Sequence, residues 1–120
     1  MEKYHKDLGF LFCHVKEAQD LIDTLQGRKI GFSFHSLQEL GKEREAVKIG
    51  QFLVNYQLNF NDVFELVFNA GKLEKMGFRV NFGENDIVFM LSRDNQIITV
   101  WLNNKNDKHF TLNPINYCKV

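Results

Sequence analysis

The side chains best suited to acid–base chemistry on a phosphate ester are dispersed along this 120-residue chain. A histidine titrates near physiological pH, so it can take the 2′-hydroxyl proton of RNA or protonate the leaving oxygen. An arginine can hold the phosphate while charge builds on it. His35, Arg44 and His109 have these side chains, and Thr99 lies on the predicted strand before His109. These four residues are the catalytic candidates.

Two further residues are candidates for contacting nucleic acid. Trp101 offers an aromatic face on which a base can stack, and Lys108 carries a positive charge beside His109. Each candidate also has an ordinary structural interpretation. His35 can flank a helix cap, Arg44 can be a solvated helix residue, His109 can be an exposed strand residue, and Trp101 can belong to the core.

The sequence has no spacing typical of a metal site or a cofactor loop. The four histidines form no H-x-x-x-H or H-E-x-x-H pattern, and neither a phosphate-binding glycine loop nor a G-x-S-x-G motif is present. We therefore expect neither a metal nor a cofactor. Cys13 and Cys118 form no C-x-x-C motif and are expected to be free thiols in a reducing cytoplasm.

Composition is that of one globular domain spanning residues 1–120. Apolar residues make up 44% of the chain, and 15 basic residues balance 15 acidic ones to give zero net charge. This balance argues against avid nonspecific binding of nucleic acid, although a local basic patch stays open. The apolar run at residues 8–13 is too short to span a bilayer, so we expect a cytoplasmic protein without membrane contact.

The most regular pattern is in the C-terminal third. Short apolar runs alternate with turns of four or five polar residues, which predicts antiparallel hairpins. The four predicted strands of this β-meander, within residues 76–112, are Met76–Phe82, Ile87–Ser92, Ile97–Leu102 and Lys108–Leu112. The two middle strands are apolar almost throughout, which indicates that they are the buried ones.

Residues 1–71 are expected to be mainly helical. The first helix has one apolar stripe, formed by Leu8, Leu11, Val15, Ala18, Ile22 and Leu25, and ends at Gly27. This stripe is predicted to pack on the sheet, and a homodimer through it is the alternative.

The other helical signals are less regular. Ser36 and Glu39 have capping-box spacing, so a second helix is predicted to begin at Ser36. Residues 51–60 fit both a strand and a continued helix, and their apolar side chains at every second position favour a strand. Asn61 is predicted to cap a short third helix that Gly71 ends. The predicted fold is α+β, with two to three helices packed on a C-terminal four-stranded antiparallel meander.

The order of these elements resembles the barnase–EndoU–colicin–RelE superfamily of small toxin nucleases. The similarity covers about residues 30–112, and the stretches that carry it are Phe34-His35 with Arg44, Asn61-Asp62-Val63 with Gly71, and Gln96 to Trp101 followed by His109. One departure is Glu39, which stands where the family's helix often has an arginine. The resemblance implies functional roles for His35, Arg44, Thr99 and His109.

Two functions follow from the sequence. The first is a small metal-independent endoribonuclease of toxin type, with RNA as its substrate. The second is a non-enzymatic module that binds another protein, such as a phage or mobile-element accessory factor.

Overall fold

The computed structural model describes residues 2–5 and 12–104 of the chain, with side chains described from residue 16 onward. The fold is α+β, as predicted. The helices are α1 (Phe12–Leu25), α2 (Phe34–Gly41) and α3 (Ala46–Asn55), followed by a 3-10 turn (Phe60–Asp62). The strands are β1 (Glu2–His5), β2 (Gly31–Phe32), β3 (Val63–Asn69), β4 (Lys72–Phe82), β5 (Asn85–Ser92) and β6 (Gln96–Asn104).

The described strands form one sheet in the order β1-β3-β4-β5-β6-β2. All neighbouring pairs are antiparallel except β2 with β6, which are parallel. The hairpins β4–β5 and β5–β6 confirm the predicted pairing of the first three meander strands. The predicted four-stranded meander needs correction, because β3, β1 and β2 also belong to the sheet. The segment Lys108–Leu112 lies outside the described residues.

The third helix predicted from Asn61 is wrong, because residues 63–69 form β3. Apolar residues in this stretch are spaced three and four apart but also suit a strand that is buried on both sides. Gly71 has φ +78° and Ala70 has φ +52°, so together they make the tight turn between β3 and β4. The glycine taken as a helix stop is therefore a hairpin residue.

The strand favoured for residues 51–60 is also wrong, because α3 continues to Asn55. Ile49 and Leu53, four residues apart, are 1% and 0% exposed and bury the helix on the core. Phe52 and Tyr56 have the same spacing and stack with ring centroids 6.1 Å apart. An apolar residue at every fourth position satisfies the helix period and the strand alternation at once.

The second helix begins two residues before the predicted position. Ser33 is its N-cap, and the Ser33 hydroxyl accepts a hydrogen bond from the Ser36 amide at 3.1 Å. The Ser36 hydroxyl donates to the Ser33 carbonyl at 2.8 Å. Ser36 is therefore a buried residue of the first turn, and the predicted capping box with Glu39 does not form.

All three helices pack on one face of the sheet, called here the helix-bearing face. Its strand residues include Phe78 and Phe89, whose stacked rings lie 5.1 Å apart, and Val100. The described part of the α1 stripe contributes Ala18, Ile22 and Leu25, which are at most 4% exposed. This confirms that these three stripe residues pack on the chain's own sheet.

The opposite side of the sheet, called here the second face, follows from the strand register. Gly77, Met90 and Thr99 occupy one row across β4, β5 and β6, and Trp101 pairs with Val88 in the next row. Phe64 of β3 packs closely over Gly77. A Cβ atom added at Gly77 would lie 2.8 Å from Phe64 Cε1 and 2.9 Å from Met90 Sδ. Only glycine leaves room for this packing.

Side chains complete the backbone hydrogen bonds where β4 extends beyond β5. The N–H of Leu73 donates to Glu17 Oε1 at 3.1 Å, and its carbonyl accepts from Arg93 Nη1 at 2.7 Å. Strand β5 ends opposite Lys75, so no strand neighbour reaches Leu73 on that side. Glu17 and Arg93 thereby connect α1 and the β5–β6 turn to the sheet.

A buried asparagine connects the same turn to the loop after α1. Asn95 has φ +63° and is 5% exposed. Its side-chain amide donates to the carbonyl of Lys29 at 3.1 Å and lies 3.4 Å from that of Arg28. Asparagine tolerates the left-handed conformation better than most residues, so a single residue here supplies both the turn and the connection.

None of the helices in the described ranges has the length and apolar composition required to cross a membrane.

Candidate functional site

His35 lies in the first turn of α2, where its side chain is 69% exposed. Its Nε2 atom is 3.1 Å from Oε1 of Glu39, one helical turn later. A carboxylate at this distance can orient the imidazole, as a positioned general base requires.

Arg44 lies in the turn that joins α2 to α3, and its side chain is exposed. It makes no ion pair with any described residue. With Lys48 it lines a cleft of about 510 Å³ between the start of α3 and the β4–β5 turn. Phe82 and Leu102 also line this cleft, which we call the hairpin cleft.

Thr99 and Trp101 lie on the second face of the sheet. Both flank Val100, which belongs to the core on the helix-bearing face, so the alternation of the strand directs them away from the helices. A bulge between Ile97 and Thr99 sets this alternation. Thr99 and Trp101 are half-buried.

The structure therefore divides the sequence-predicted residues between two sides of the sheet. His35 belongs to α2, which packs on the helix-bearing face, and Arg44 follows it in the chain, whereas Thr99 and Trp101 occupy the second face. No hydrogen bond or ion pair joins His35 or Arg44 to the other two. His109 and Lys108 lie outside the described residues, so their place relative to His35 stays a prediction.

Within residues 2–5 and 12–104, no three histidine, cysteine, aspartate or glutamate side chains gather closely enough to hold a metal ion.

A feature that the sequence did not single out is the exposure of large apolar side chains on α2 and α3. Phe34 is 76% exposed and Leu37 is 51% exposed on α2, while Val47 and Val54 of α3 are 74% and 46% exposed. We call these four residues the apolar helix surface. In the sequence, the alternation of Ile30, Phe32 and Phe34 fits a short strand or an extended connector, and Leu37 and Val47 belong to the patchy apolar face of one predicted helix. The spacing of three between Phe34 and Leu37 was the available signal, because it places both on one side of a helix.

Tyr56, the residue directly after α3, has a half-buried phenol group. The Tyr56 hydroxyl donates a hydrogen bond to Oδ2 of Asp62 in the 3-10 turn. Burial, together with this carboxylate, raises the pKa of Tyr56 well above its ordinary value. The ring packs edge-on against Phe78 and Phe89, so the pair has a structural role inside the core.

Comparisons of the chain with protein-family models, curated proteins and solved structures found no match. The function is therefore inferred from the chain's own geometry.

Proposed function

We propose that this chain is a non-enzymatic protein-binding module that contacts its partner through the apolar helix surface. The observation that supports this proposal is the 76% exposure of Phe34 beside Leu37 on one side of α2. Leaving a large apolar side chain in water forgoes about 1.5–3 kcal/mol of burial free energy, which a partner can recover.

The spacing of the two side chains indicates how a partner would bind. An aromatic and an aliphatic residue three positions apart are typical anchors of a helix that lies in an apolar groove. Isolated exposed apolar residues are common, but Val47 and Val54 add a second apolar stripe on the next helix. The partner class is therefore a folded protein with an apolar groove wide enough for Phe34 and Leu37.

Charge supports a protein partner over a polyanion. The chain has zero net charge, so it lacks the long-range attraction that basic proteins use to gather nucleic acid. Polar residues around the anchors, such as the exposed Gln38, would form the rim that usually surrounds an apolar interface centre.

The test compares capture of a partner by wild-type protein and by a Phe34→Ala/Leu37→Ala variant. The matched control is Gln19→Ala, an exposed substitution on α1, which carries none of the proposed anchors. We expect wild type and control to retain one stoichiometric protein from an extract of the source cells. The double variant should bind that isolated protein at least about thirtyfold more weakly, because each lost anchor typically costs 1 kcal/mol or more.

Two outcomes would overturn the proposal. One is equal binding by the double variant and wild type, and the other is the absence of any stoichiometric partner. Thermal unfolding of all three proteins serves as the folding control, because the exposed anchors contribute little to the native core and the midpoints should agree.

The endoribonuclease predicted from the sequence is the alternative function. It is favoured by one observation: the His35 imidazole is exposed, and its Nε2 atom lies 3.1 Å from Oε1 of Glu39. Incubation of RNA with wild type, His35→Ala and Glu39→Gln tests it. Cleavage that is lost in His35→Ala and weakened in Glu39→Gln would support an enzyme. Equal cleavage by wild type and His35→Ala would remove the role assigned to His35.

A further inference from the structure

We propose that the hairpin cleft is a binding site for a small ligand that has an aromatic ring and one acidic group. None of the four residues of the apolar helix surface lines this cleft, and the proposal does not depend on a protein partner. Its volume, about 510 Å³, lies in the range of sites that accept small molecules.

The apolar part of the cleft is preformed. Phe82 and Leu102 are half-buried, and both pack against the main core from the helix-bearing face of the sheet. The Phe82 ring is held edge-on by Phe52, with centroids 5.8 Å apart and an interplanar angle of 77°. A flat apolar ligand can therefore cover these side chains without first rearranging them, which keeps the entropic cost of binding small.

The charges around the cleft select one acidic group. Lys48 Nζ lies 3.8 Å from Glu45 Oε1, so these two charges largely cancel. Arg44 makes no ion pair with a described residue and leaves one positive charge available. Glu84, in the β4–β5 turn, lines the same cleft and balances that charge, so an acidic group is favoured only where it contacts Arg44 directly.

The geometry of the available cation favours a carboxylate. A guanidinium group presents parallel N–H donors that match the two oxygens of a carboxylate. Asn85, half-buried at the start of β5, adds an amide that can donate to or accept from a polar substituent. An aromatic monocarboxylate therefore suits the apolar side chains of Phe82 and Leu102, the charge of Arg44 and the hydrogen-bond donors of Arg44 and Asn85.

Titration with 1-naphthoate, followed by the backbone amide signals in nuclear magnetic resonance, tests the proposal. We expect saturable shifts confined to residues 44–48, 82–85 and Leu102, with a dissociation constant of about 1 mM for so small a ligand. Arg44→Ala should weaken binding at least about tenfold, because a charge-assisted bidentate contact is lost. Arg28→Ala, an exposed arginine that lines a different cleft, is the matched control and should bind as wild type does.

A neutral analogue distinguishes the contribution of the acidic group to the affinity from that of the ring. 1-Naphthylmethanol should bind wild type at least about tenfold more weakly than 1-naphthoate does. Its affinity for Arg44→Ala should equal its affinity for wild type, because the alcohol has no charge for Arg44 to contact. The proposal is overturned by the absence of saturable shifts, by unchanged affinity in Arg44→Ala, or by equal affinity for the acid and the alcohol. The dispersion of the amide signals reports whether each variant is folded.

Discussion

Replacing Gly77 with alanine should destabilise the fold, although alanine is otherwise the better strand residue. Gly77 has no left-handed backbone conformation, so the added methyl group causes only a packing conflict. Its Cβ would lie 2.8 Å from Phe64 Cε1 and 2.9 Å from Met90 Sδ, closer than real contacts of this kind. The Phe64 ring must then tilt away from β4.

The size of the effect follows from two opposing contributions. Overpacking of this kind costs about 1–3 kcal/mol, whereas the loss of glycine's backbone entropy returns about 0.5–1 kcal/mol. Because three contacts, two to the Phe64 ring and one to Met90 Sδ, fall below 3.0 Å, we expect a net loss of about 1–2 kcal/mol. For a domain of this size, that loss lowers the thermal midpoint by roughly 3–10 °C.

Urea and thermal unfolding of four proteins measure this effect and assign it to Phe64. They are wild type, Gly77→Ala, Phe64→Leu and the double variant, which together form a double-mutant cycle. In the Phe64→Leu background, the alanine should cost less than about 0.5 kcal/mol, because the smaller side chain leaves room for it. The control is Gly41→Ala, where no atom lies within 4 Å and alanine should be neutral or stabilising. A Gly77→Ala protein as stable as wild type, or a cost unchanged by Phe64→Leu, would refute the packing explanation.

Three further predictions concern the polar contacts. Tyr56→Phe should lower stability by about 1 kcal/mol near neutral pH, because Asp62 loses its hydrogen bond. Because the folded pKa of Tyr56 is raised, its contribution is fully present below about pH 10, the pKa of an unfolded tyrosine, and is lost as pH rises beyond it. Denaturation at several pH values should therefore show wild type and variant converging above pH 10, and a constant difference would contradict the pKa shift. Asn95→Gly should lower the free energy of unfolding by about 1 kcal/mol, because the side-chain hydrogen bond is lost. Asn95→Ala should lower it by about 1 kcal/mol more, since alanine, unlike glycine, is strained at φ +63°. Equal unfolding midpoints for the two variants would exclude backbone strain. Arg93→Ala should speed hydrogen exchange around Leu73 without changing exchange in the centre of the sheet, and unchanged exchange there would show that Arg93 does not hold this end of β4.

The fold was predicted correctly where a sequence pattern fits one type of secondary structure, and incorrectly where the pattern fits both a helix and a strand. The hairpins β4–β5 and β5–β6 were predictable because strand alternation and polar turns indicate the same structure. The α1 stripe was predictable because its spacing fits only a helix. Residues 51–60 were not, since Phe52, Tyr56 and Phe60 are four apart and satisfy both periods. β3 was missed because Gly71 suits a helix stop as well as a hairpin turn.

The candidate site was less predictable because it depends on which side of an element faces solvent. The face occupied by Thr99 and Trp101 depends on a bulge at the start of β6. No residue type in that strand predicts the bulge. Leu37 and Leu40 are equally apolar, yet Leu37 is 51% exposed and Leu40 is 8% exposed. The difference in exposure between these two leucines depends on how α2 packs against its neighbours.

The order of elements along the chain has a consequence for synthesis on the ribosome. The three helices precede nearly all of the sheet on which they pack, and strands β3 to β6 follow them within residues 63–104. At ordinary translation rates, α1 emerges roughly 3–15 s before β5 is complete. During most of that interval the sheet that buries Ala18 and Ile22 in the native fold is incomplete. The nascent chain therefore presents an apolar helix to chaperones before it can fold.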